Sequence, residues 1–335
     1  MDRIRIGVLC PSEIAFRRFM PALKQLEGFR YIGLSAATER EFFGSGSDEV
    51  VPSEREKAER FMQEHGGKLF CGYRSLISSD EIDAVYIPLP PALHYRWAKM
   101  ALENGKHVLL EKPFTTSLKD TEALISAAKT KGLALHENYM FVYHSQLSWI
   151  KEKIAEGAVG EVRLIRIDFG FPFRGAGDFR YNKALGGGAL LDCGGYTLKL
   201  AAQFLGESAR VVTSRLNGKE GFEVDVYGSA TLVNDRGLTA QVSFGMDNSY
   251  RCSLEVWGST GTLFTNRILT APAGYEPTVS IKTAEGEQSF TLPADDTFGK
   301  SIEHFGRCVR DDTERAAHYE DILRQSQRVE QIIKR

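Results

Sequence analysis

Gly105-Lys106-His107-Val108-Leu109-Leu110-Glu111-Lys112-Pro113 is the stretch on which the reading of this chain turns. The run from His107 to Leu110 is short and apolar, and it stops at two charges and a proline. A strand buried on both faces of a parallel sheet has this look. Open α/β sheets bind ligands just beyond the carboxyl ends of such strands, so Glu111 and Lys112 stand where chemistry is done. Pro113 fixes the backbone as the chain leaves the sheet. Taken alone, the stretch is explained equally well by a solvated Glu-Lys pair ahead of a loop proline.

Working outward strengthens the sheet reading. On the N-terminal side lie a buried run, Ile82 to Pro88, and a helical segment, His94 to Asn104, stopped by Gly105, the residue type that most readily takes a left-handed C-terminal position. Earlier still, Arg3 to Leu9 reads as a strand and Glu13 to Leu26 as a helix with Pro21 inside it, where a kink or a lost hydrogen bond is expected. Tyr31 to Leu34 completes a β-α-β unit. Residues 40 to 57 are charged and rich in glycine and serine, and Ser53 to His65 reads as an exposed helix. On the C-terminal side, Ser117 to Thr130 has helical spacing and Leu133 to His136 is a further short strand. Strands alternating with helices predict a doubly wound parallel sheet over residues 1–139.

The turn after the first strand, where a dinucleotide fold carries its glycines, reads Cys10-Pro11-Ser12-Glu13-Ile14-Ala15. Cys10, Ser12 and Ala15 stand in the glycine places. Ser12 is small enough for a pyrophosphate to approach, and its hydroxyl can equally cap an ordinary helix. The second strand ends in Ser35-Ala36-Ala37-Thr38-Glu39-Arg40, with no acid at the strand tip. Ser35, Thr38 and Arg40 suit a 2′-phosphate and tilt the expectation toward NADP; Glu39 keeps NAD open.

After Ser145 the pattern changes. Gln146 to Glu156 is helical, and Glu161 to Gly170, Val211 to Leu216, Val224 to Leu232, Leu238 to Phe244 and Cys252 to Trp257 are strand-like and closely spaced. They predict a large open, mainly antiparallel sheet in an α/β domain over residues 140–335, covered by a helix from Leu190 to Leu205. The other face would be solvated or would bury itself in a homodimer or homotetramer. Phe298 to Val309 and Tyr319 to Ile333 read as closing helices that can pack back on the first domain. The densest motif of this half is Gly186-Gly187-Gly188-Ala189-Leu190-Leu191-Asp192-Cys193-Gly194-Gly195-Tyr196. Glycines ahead of a helix permit close backbone approach to a ligand. Asp192 and Tyr196, four apart, share a face if the segment is α-helical. A phenol near an ammonium group can transfer a proton, although such a pair is more often structural.

A formal charge of −2 speaks against general affinity for nucleic acid or acidic membranes. The absence of a long apolar run or a basic-apolar leader points to a cytoplasmic protein. The five cysteines and seven histidines are dispersed, with no metal-type spacing, so no metal is expected.

Ile82 to His94, Gly105 to Pro113, Glu137 to Gln146 and Gly186 to Tyr196 together resemble the glucose-fructose oxidoreductase and inositol dehydrogenase (Gfo/Idh/MocA) oxidoreductases. Tyr196, where many members carry His, is similar to glucose-fructose oxidoreductase, dihydrodiol dehydrogenases and sugar-nucleotide 3-ketoreductases, and the glycine-poor turn with Ile14 to Arg18 resembles those ketoreductases. The resemblance implies a Rossmann domain followed by the open-sheet domain, and NAD(P)-dependent alcohol-ketone chemistry on a carbohydrate. It implies that Lys112 contacts the reacting oxygen, that Tyr196 delivers the proton, and that Asp192 orients substrate or lysine. The Lys112–Pro113 peptide would be cis. Arg180, just ahead of the glycine run, is a candidate contact to substrate hydroxyls or phosphate and equally a surface arginine. Cofactor contacts are expected at Cys10, Ser12, Glu13, Ile14, Ser35, Thr38 and Arg40, and at Pro88, Pro90, His94, Glu111 and Asn138. The expected activity is reduction of a keto-sugar, nucleotide-linked or not. Oxidation of a free sugar, polyol or dihydrodiol, or a non-catalytic dinucleotide sensor, are the alternatives.

Overall fold

The computed structural model describes residues 2 to 335. Two compact units emerge: one comprises the chain up to Asn138 with Phe298–Leu323, the other Tyr139–Thr297 with Arg324–Arg335.

The first unit is built on strands β1 (Ile4–Val8), β2 (Phe29–Ala36), β3 (Lys68–Cys71), β4 (Ala84–Ile87), β5 (His107–Leu110) and β6 (Leu135–Glu137). All five pairings are parallel, in the order β3-β2-β1-β4-β5-β6. Val108, Leu109 and Leu110 are fully buried, as the apolar run requires of a central strand. Helices Pro91–Glu103 and Leu118–Lys131 connect β4 to β5 and β5 to β6. Trp97, Ala101, Leu124 and Ala128 from these helices join the sheet residues in one core, together with Tyr319 and Ile322 from the C-terminal helix Asp312–Ile333. The edge strand β3 is four residues long and left no periodic signal in the sequence. It lies so close to β2 that a Cβ on Gly33 would stand 2.2 Å from the Lys68 carbonyl oxygen, so only glycine fits.

The second unit holds an eight-stranded sheet: β7 (Val162–Gly170), β8 (Arg210–Asn217), β9 (Tyr227–Val233), β10 (Thr239–Gly245), β11 (Arg251–Gly258), β12 (Gly261–Thr265), β13 (Thr278–Thr283) and β14 (Gly286–Thr291). Its order is β14-β13-β12-β11-β7-β10-β9-β8, and only the β7–β10 pair is parallel. Alternation decides which face is covered. Cys252, Leu254 and Val256 of β11 point inward to a core shared with Leu198, Ala201 and Leu205 of helix Gly195–Leu205. On the other side of β11 and β12, Trp257 and Phe264 are 49% and 41% exposed. No helix among the described residues is long and apolar enough to cross a membrane.

Candidate active site

In the first sheet the connections leave β1 toward β2 and β4 toward β5, so the neighbouring carboxyl ends of β1 and β4 form a topological switch point. Ser12 stands just past β1, its hydroxyl accepting a hydrogen bond from the Ala15 amide at 3.2 Å. The helix expected from Glu13 to Leu26, with an irregularity at Pro21, is a π-helical turn, Ala15–Phe19, followed by a short α-helix, Met20–Leu23. Pro21 explains this. It has no N–H to donate to the preceding turn, and the widened turn just before it, closed by Met20 N on Ala15 O, takes up the irregularity. Burial, with Glu54 nearby, pushes the Cys10 thiol up to about 12, so Cys10 is a packing thiol in a glycine's place and not a nucleophile. Glu13 is exposed and Ile14 half-buried on the same turn.

The turn after β2 is held largely by its own residues. Ser35 is buried and donates to the Leu9 carbonyl at 3.2 Å. Thr38 caps helix Glu39–Phe43 in a reciprocal arrangement with Glu41. Glu39 accepts from the Ser47 amide and hydroxyl, which hold its carboxyl below the usual range. Arg40 offers an exposed positive charge there, resting against Gly46 O and the exposed Asp48 at 3.4 and 3.5 Å. These residues fit a dinucleotide: a switch point, a small residue at the phosphate turn, and a cation beside β2 where a 2′-phosphate would lie.

At the other end of the crevice, Pro88 is buried and Pro90 half-buried. His94 is fully buried, with Nδ1 2.9 Å from Pro113 O and Nε2 2.7 Å from Leu89 O. Burial pushes its pKa down against the pull of these carbonyls. A neutral ring donates to one of these carbonyls and packs against the other, between the loop after β4 and the turn after β5. The Lys112–Pro113 peptide is cis. Glu111 Oε1 accepts from Tyr86 Oη at 2.7 Å and from Asn138 Nδ2 at 2.6 Å. Burial raises its pKa, and those two donors together with Lys112 work against that rise. Glu137 Oε1 accepts from the Phe114 amide at 3.0 Å, pinning the residue after the cis proline.

In the second unit the glycine run serves the chain's own backbone. A Cβ on Gly187 would lie 2.3 Å from Arg180 O, and one on Gly188, at φ +126, would lie 2.5 Å from Asp225 Oδ1. Asp225 accepts from the Leu190 amide at 2.7 Å, and its carbonyl accepts from Ala189 N at 2.8 Å. It thereby caps the helix that carries Asp192 and Tyr196, and burial raises its pKa. That helix opens with a π-helical turn, Leu190–Gly194, so Asp192 does not stand on a regular α-helix with Tyr196 as the spacing suggested. Arg180 donates through Nε to Asp192 Oδ2 at 2.8 Å and through Nη1 to Asp178 at 3.1 Å. Burial works against its charge, but Asp192 and Asp178 outweigh this and hold its pKa above the ordinary value. Tyr196, 6% exposed, packs edge-on against Tyr139 at 5.0 Å and Phe169 at 5.3 Å, and its hydroxyl reaches Met140 Sδ at 3.9 Å.

Tyr86 and Asp225 were not legible as site residues. Each is a polar group interrupting an apolar run, in Ala84-Val85-Tyr86-Ile87 and Val224-Asp225-Val226, and that interruption was the available signal. The dispersed histidines also conceal a cluster: His136, His304 and His318 bring their ring nitrogens within 4.8 Å of one another.

Comparison with known proteins agrees with this architecture. The oxidoreductase family with an NAD-binding Rossmann fold matches residues 33–139, and the GFO/IDH/MocA C-terminal domain matches residues 148–264. The chain is 39% identical over 329 residues to dTDP-3,4-didehydro-2,6-dideoxy-alpha-D-glucose 3-reductase of Actinomadura kijaniata, covering 98% of this chain and 94% of that protein. It is 31% identical to D-xylose 1-dehydrogenase (NADP(+)) 2 of Haloferax volcanii, covering 72% of this chain and 74% of the relative. Among solved structures, KijD10, a 3-ketoreductase from Actinomadura kijaniata in complex with NADP and TDP-benzene, superposes with a TM-score of 0.91 at 38% identity, covering 99% of this chain and 98% of that one. Further structures of KijD10 carry a lysine-to-alanine or a tyrosine-to-phenylalanine replacement. With a parallel Rossmann sheet, an eight-stranded mainly antiparallel partner sheet and relatives matched over nearly its whole length, the chain belongs to the GFO/IDH/MocA family of oxidoreductases.

Proposed function

We propose that this protein is an NADPH-dependent reductase of the 3-keto group of a dTDP-linked deoxysugar. The observation that carries the reading is the match, across 98% of the chain, to a relative named for that reaction. Lys112, Asp192 and Tyr196 are all present, and the replacements made in KijD10 concern the same two residue types, a lysine and a tyrosine. Relatives that are enzymes favour a reductase over a non-catalytic sensor, and the free-sugar dehydrogenase matches a smaller share of this chain.

In this reading NADPH supplies the hydride when bound, held by the turn at Cys10, Ser12, Glu13 and Ile14 and by the strand-end residues from Pro88 to Pro90, while Ser35, Thr38 and His94 shape these turns from within. Arg40 meets the 2′-phosphate. Lys112 stabilises the negative charge that develops on the carbonyl oxygen, where electrostatic help is most effective. Tyr196 gives up its proton to that oxygen, and Asp192 is held in place for substrate by Arg180. The test is direct: Tyr196→Phe and Lys112→Ala, assayed by NADPH oxidation with a dTDP-linked keto-sugar, lose at least about 100-fold in kcat. Wild-type turnover in both would overturn the assignment.

A second proposal concerns assembly. The outer face of the second sheet carries exposed Trp257 and Phe264 among paired charges, Arg166 with Glu255 at 2.7 Å and Arg251 with Asp168 at 3.0 Å. Exposed aromatics ringed by both signs of charge suit a second copy of this chain. The five free cysteines suit a reducing, cytoplasmic setting.

A further inference from the structure

Behind the strand ends, the first unit contains a buried run of polar side chains that the proposed chemistry leaves unused. It starts at Glu111, whose Oε1 takes hydrogen bonds from Tyr86 and Asn138 at 2.7 and 2.6 Å. Asn138 Oδ1 accepts from Ser301 Oγ at 2.8 Å, and Ser301 Oγ lies 2.9 Å from His136 Nε2. Asn138 is 2% exposed, and Ser301 and His136 are fully buried.

Donor bookkeeping leaves one solution. An amide oxygen only accepts, so Ser301 must give its single proton to Asn138. Ser301 can then only accept from His136, which must carry a proton on Nε2. The carboxylate at one end fixes which end of the Asn138 amide is nitrogen. The chain of donors therefore runs one way, from His136 through Ser301 and Asn138 to Glu111. Hydrogen bonds arranged head to tail polarise one another, so the strength of the Asn138 donor depends on the two residues behind it.

His136 in turn stacks on His318, with ring centroids 4.5 Å apart and planes 14° from parallel. In-plane lone pairs of stacked rings run side by side and do not converge on one ion, and His318 Nε2 already faces the Glu137 amide at 3.3 Å. These three imidazoles form one packed histidine group, with a nitrogen from each within 4.8 Å of the others. On its outer side His304 Nε2 meets Glu314 at 3.4 Å, with Arg307 on the same carboxylate and Cys308 Sγ 3.8 Å from His304 Nδ1. Asp321 also faces His304.

We propose that Ser301 and His136 are positioning residues for the reaction, holding the Glu111 carboxylate anionic and fixed beside Lys112 by orienting Asn138. The inference rests on the ketoreductase reading above, and it extends the site to a strand and a helix far apart in the chain.

The experiment uses the full chain and two readouts. The first is kcat and KM with NADPH and a dTDP-linked keto-sugar from about pH 5 to about 9. The second needs no turnover: the protonated-carboxyl infrared band of Glu111, isolated by difference against Glu111→Gln and followed through the same titration. Ser301→Ala and His136→Leu are expected to lower kcat about tenfold while KM for NADPH stays within about twofold, and to move both the acid limb of kcat and the infrared midpoint up by about 0.5–1 pH unit. His136→Gln, whose amide nitrogen can donate from the Nε2 position, should restore both. Wild-type profiles in Ser301→Ala and His136→Leu would overturn the inference. A His136→Gln variant displaced as far as His136→Leu would overturn it too, by showing that ring packing and not the donor matters. If the wild-type chain binds NADPH but reduces no keto-sugar nucleotide, the ketoreductase reading fails, and the infrared midpoint still decides the role of Ser301 and His136.

Discussion

Arg180 shows how a single side chain can be committed by its neighbours. Its guanidinium forks between Asp192 and Asp178, and the Arg180 and Asp192 side chains are only 20% and 12% exposed. A planar fork matches two carboxylates in a way an ammonium cannot, so Arg180→Lys is not conservative here. We expect Arg180→Lys to lower kcat/KM for the keto-sugar roughly tenfold and Arg180→Ala to lose more. Arg180→Ala also leaves the half-buried Asp192 poorly paired, at a cost on the order of 2 kcal/mol in a urea melt. An additive double-mutant cycle between Arg180→Ala and Asp192→Asn would show the pair to be independent.

At the scale of elements, two helices are irregular where they carry candidate site residues. The π-helical turns Ala15–Phe19 and Leu190–Gly194 stand after β1 and at Asp192, and widened turns of this kind gather at functional sites. Their causes differ. Pro21 lacks an N–H, whereas Gly194 and Gly195 let Phe244 and Tyr139 press against the helix: a Cβ on Gly195 would sit 2.1 Å from the Tyr139 hydroxyl. The β2–β3 contact is as tight in its own way. Gly33→Ala would drive a methyl group into the Lys68 backbone, which cannot swing aside as a side chain can. The expected loss is about 1–3 kcal/mol, with β3 fraying first in hydrogen exchange. Gly132→Ala is a useful contrast. There the space is open and only the left-handed φ of +65 opposes the change, so the expected loss is about 1 kcal/mol.

Over the whole molecule, buried histidines set the response to acid. Burial lowers the pKa of His94 and His304, and that of His107 falls to about 4 from 6.5. For His304, Arg307 adds to the lowering while Glu314 and Asp321 oppose it. In the unfolded chain these imidazoles take up protons first as pH falls, so the unfolded state gains protons and stability drops. The loss begins near 6.5 and continues toward about 4, the folded value of His107. Glu111 and Asp225, whose pKa values are raised by burial, act in the opposite direction and only once pH approaches the carboxylate range. The expected result is a melting temperature that falls steadily as pH drops below about 6.5, with His107→Asn flattening the slope. The outer sheet face makes a second prediction at this scale. On the proposed pairing of two copies through this face, Trp257→Glu should leave a monomer in sedimentation while the fold persists, because Trp257 is 49% exposed and contributes no inward packing.

The sequence by itself determined the layout. The apolar runs ending at Leu110 and near Ile87, with helices between them, required a parallel sheet, since strands buried on both faces have no other signature. Alternation along Cys252 to Trp257 required a sheet with one covered face. The pairing of Glu111-Lys112-Pro113 with Gly186 to Tyr196 was enough to single out the family. Tertiary structure alone decided what the polar residues do. That Ser35 turns to the Leu9 carbonyl, that the glycines at 187 and 188 make room for Arg180 and Asp225, and that Ser301 and His136 stand behind Asn138 depends on contacts between segments as much as 165 residues apart. Apolar periodicity is a local property of the chain and can be read along it. A hydrogen bond needs a donor and an acceptor brought together at one distance and angle, and no spacing in the sequence encodes that.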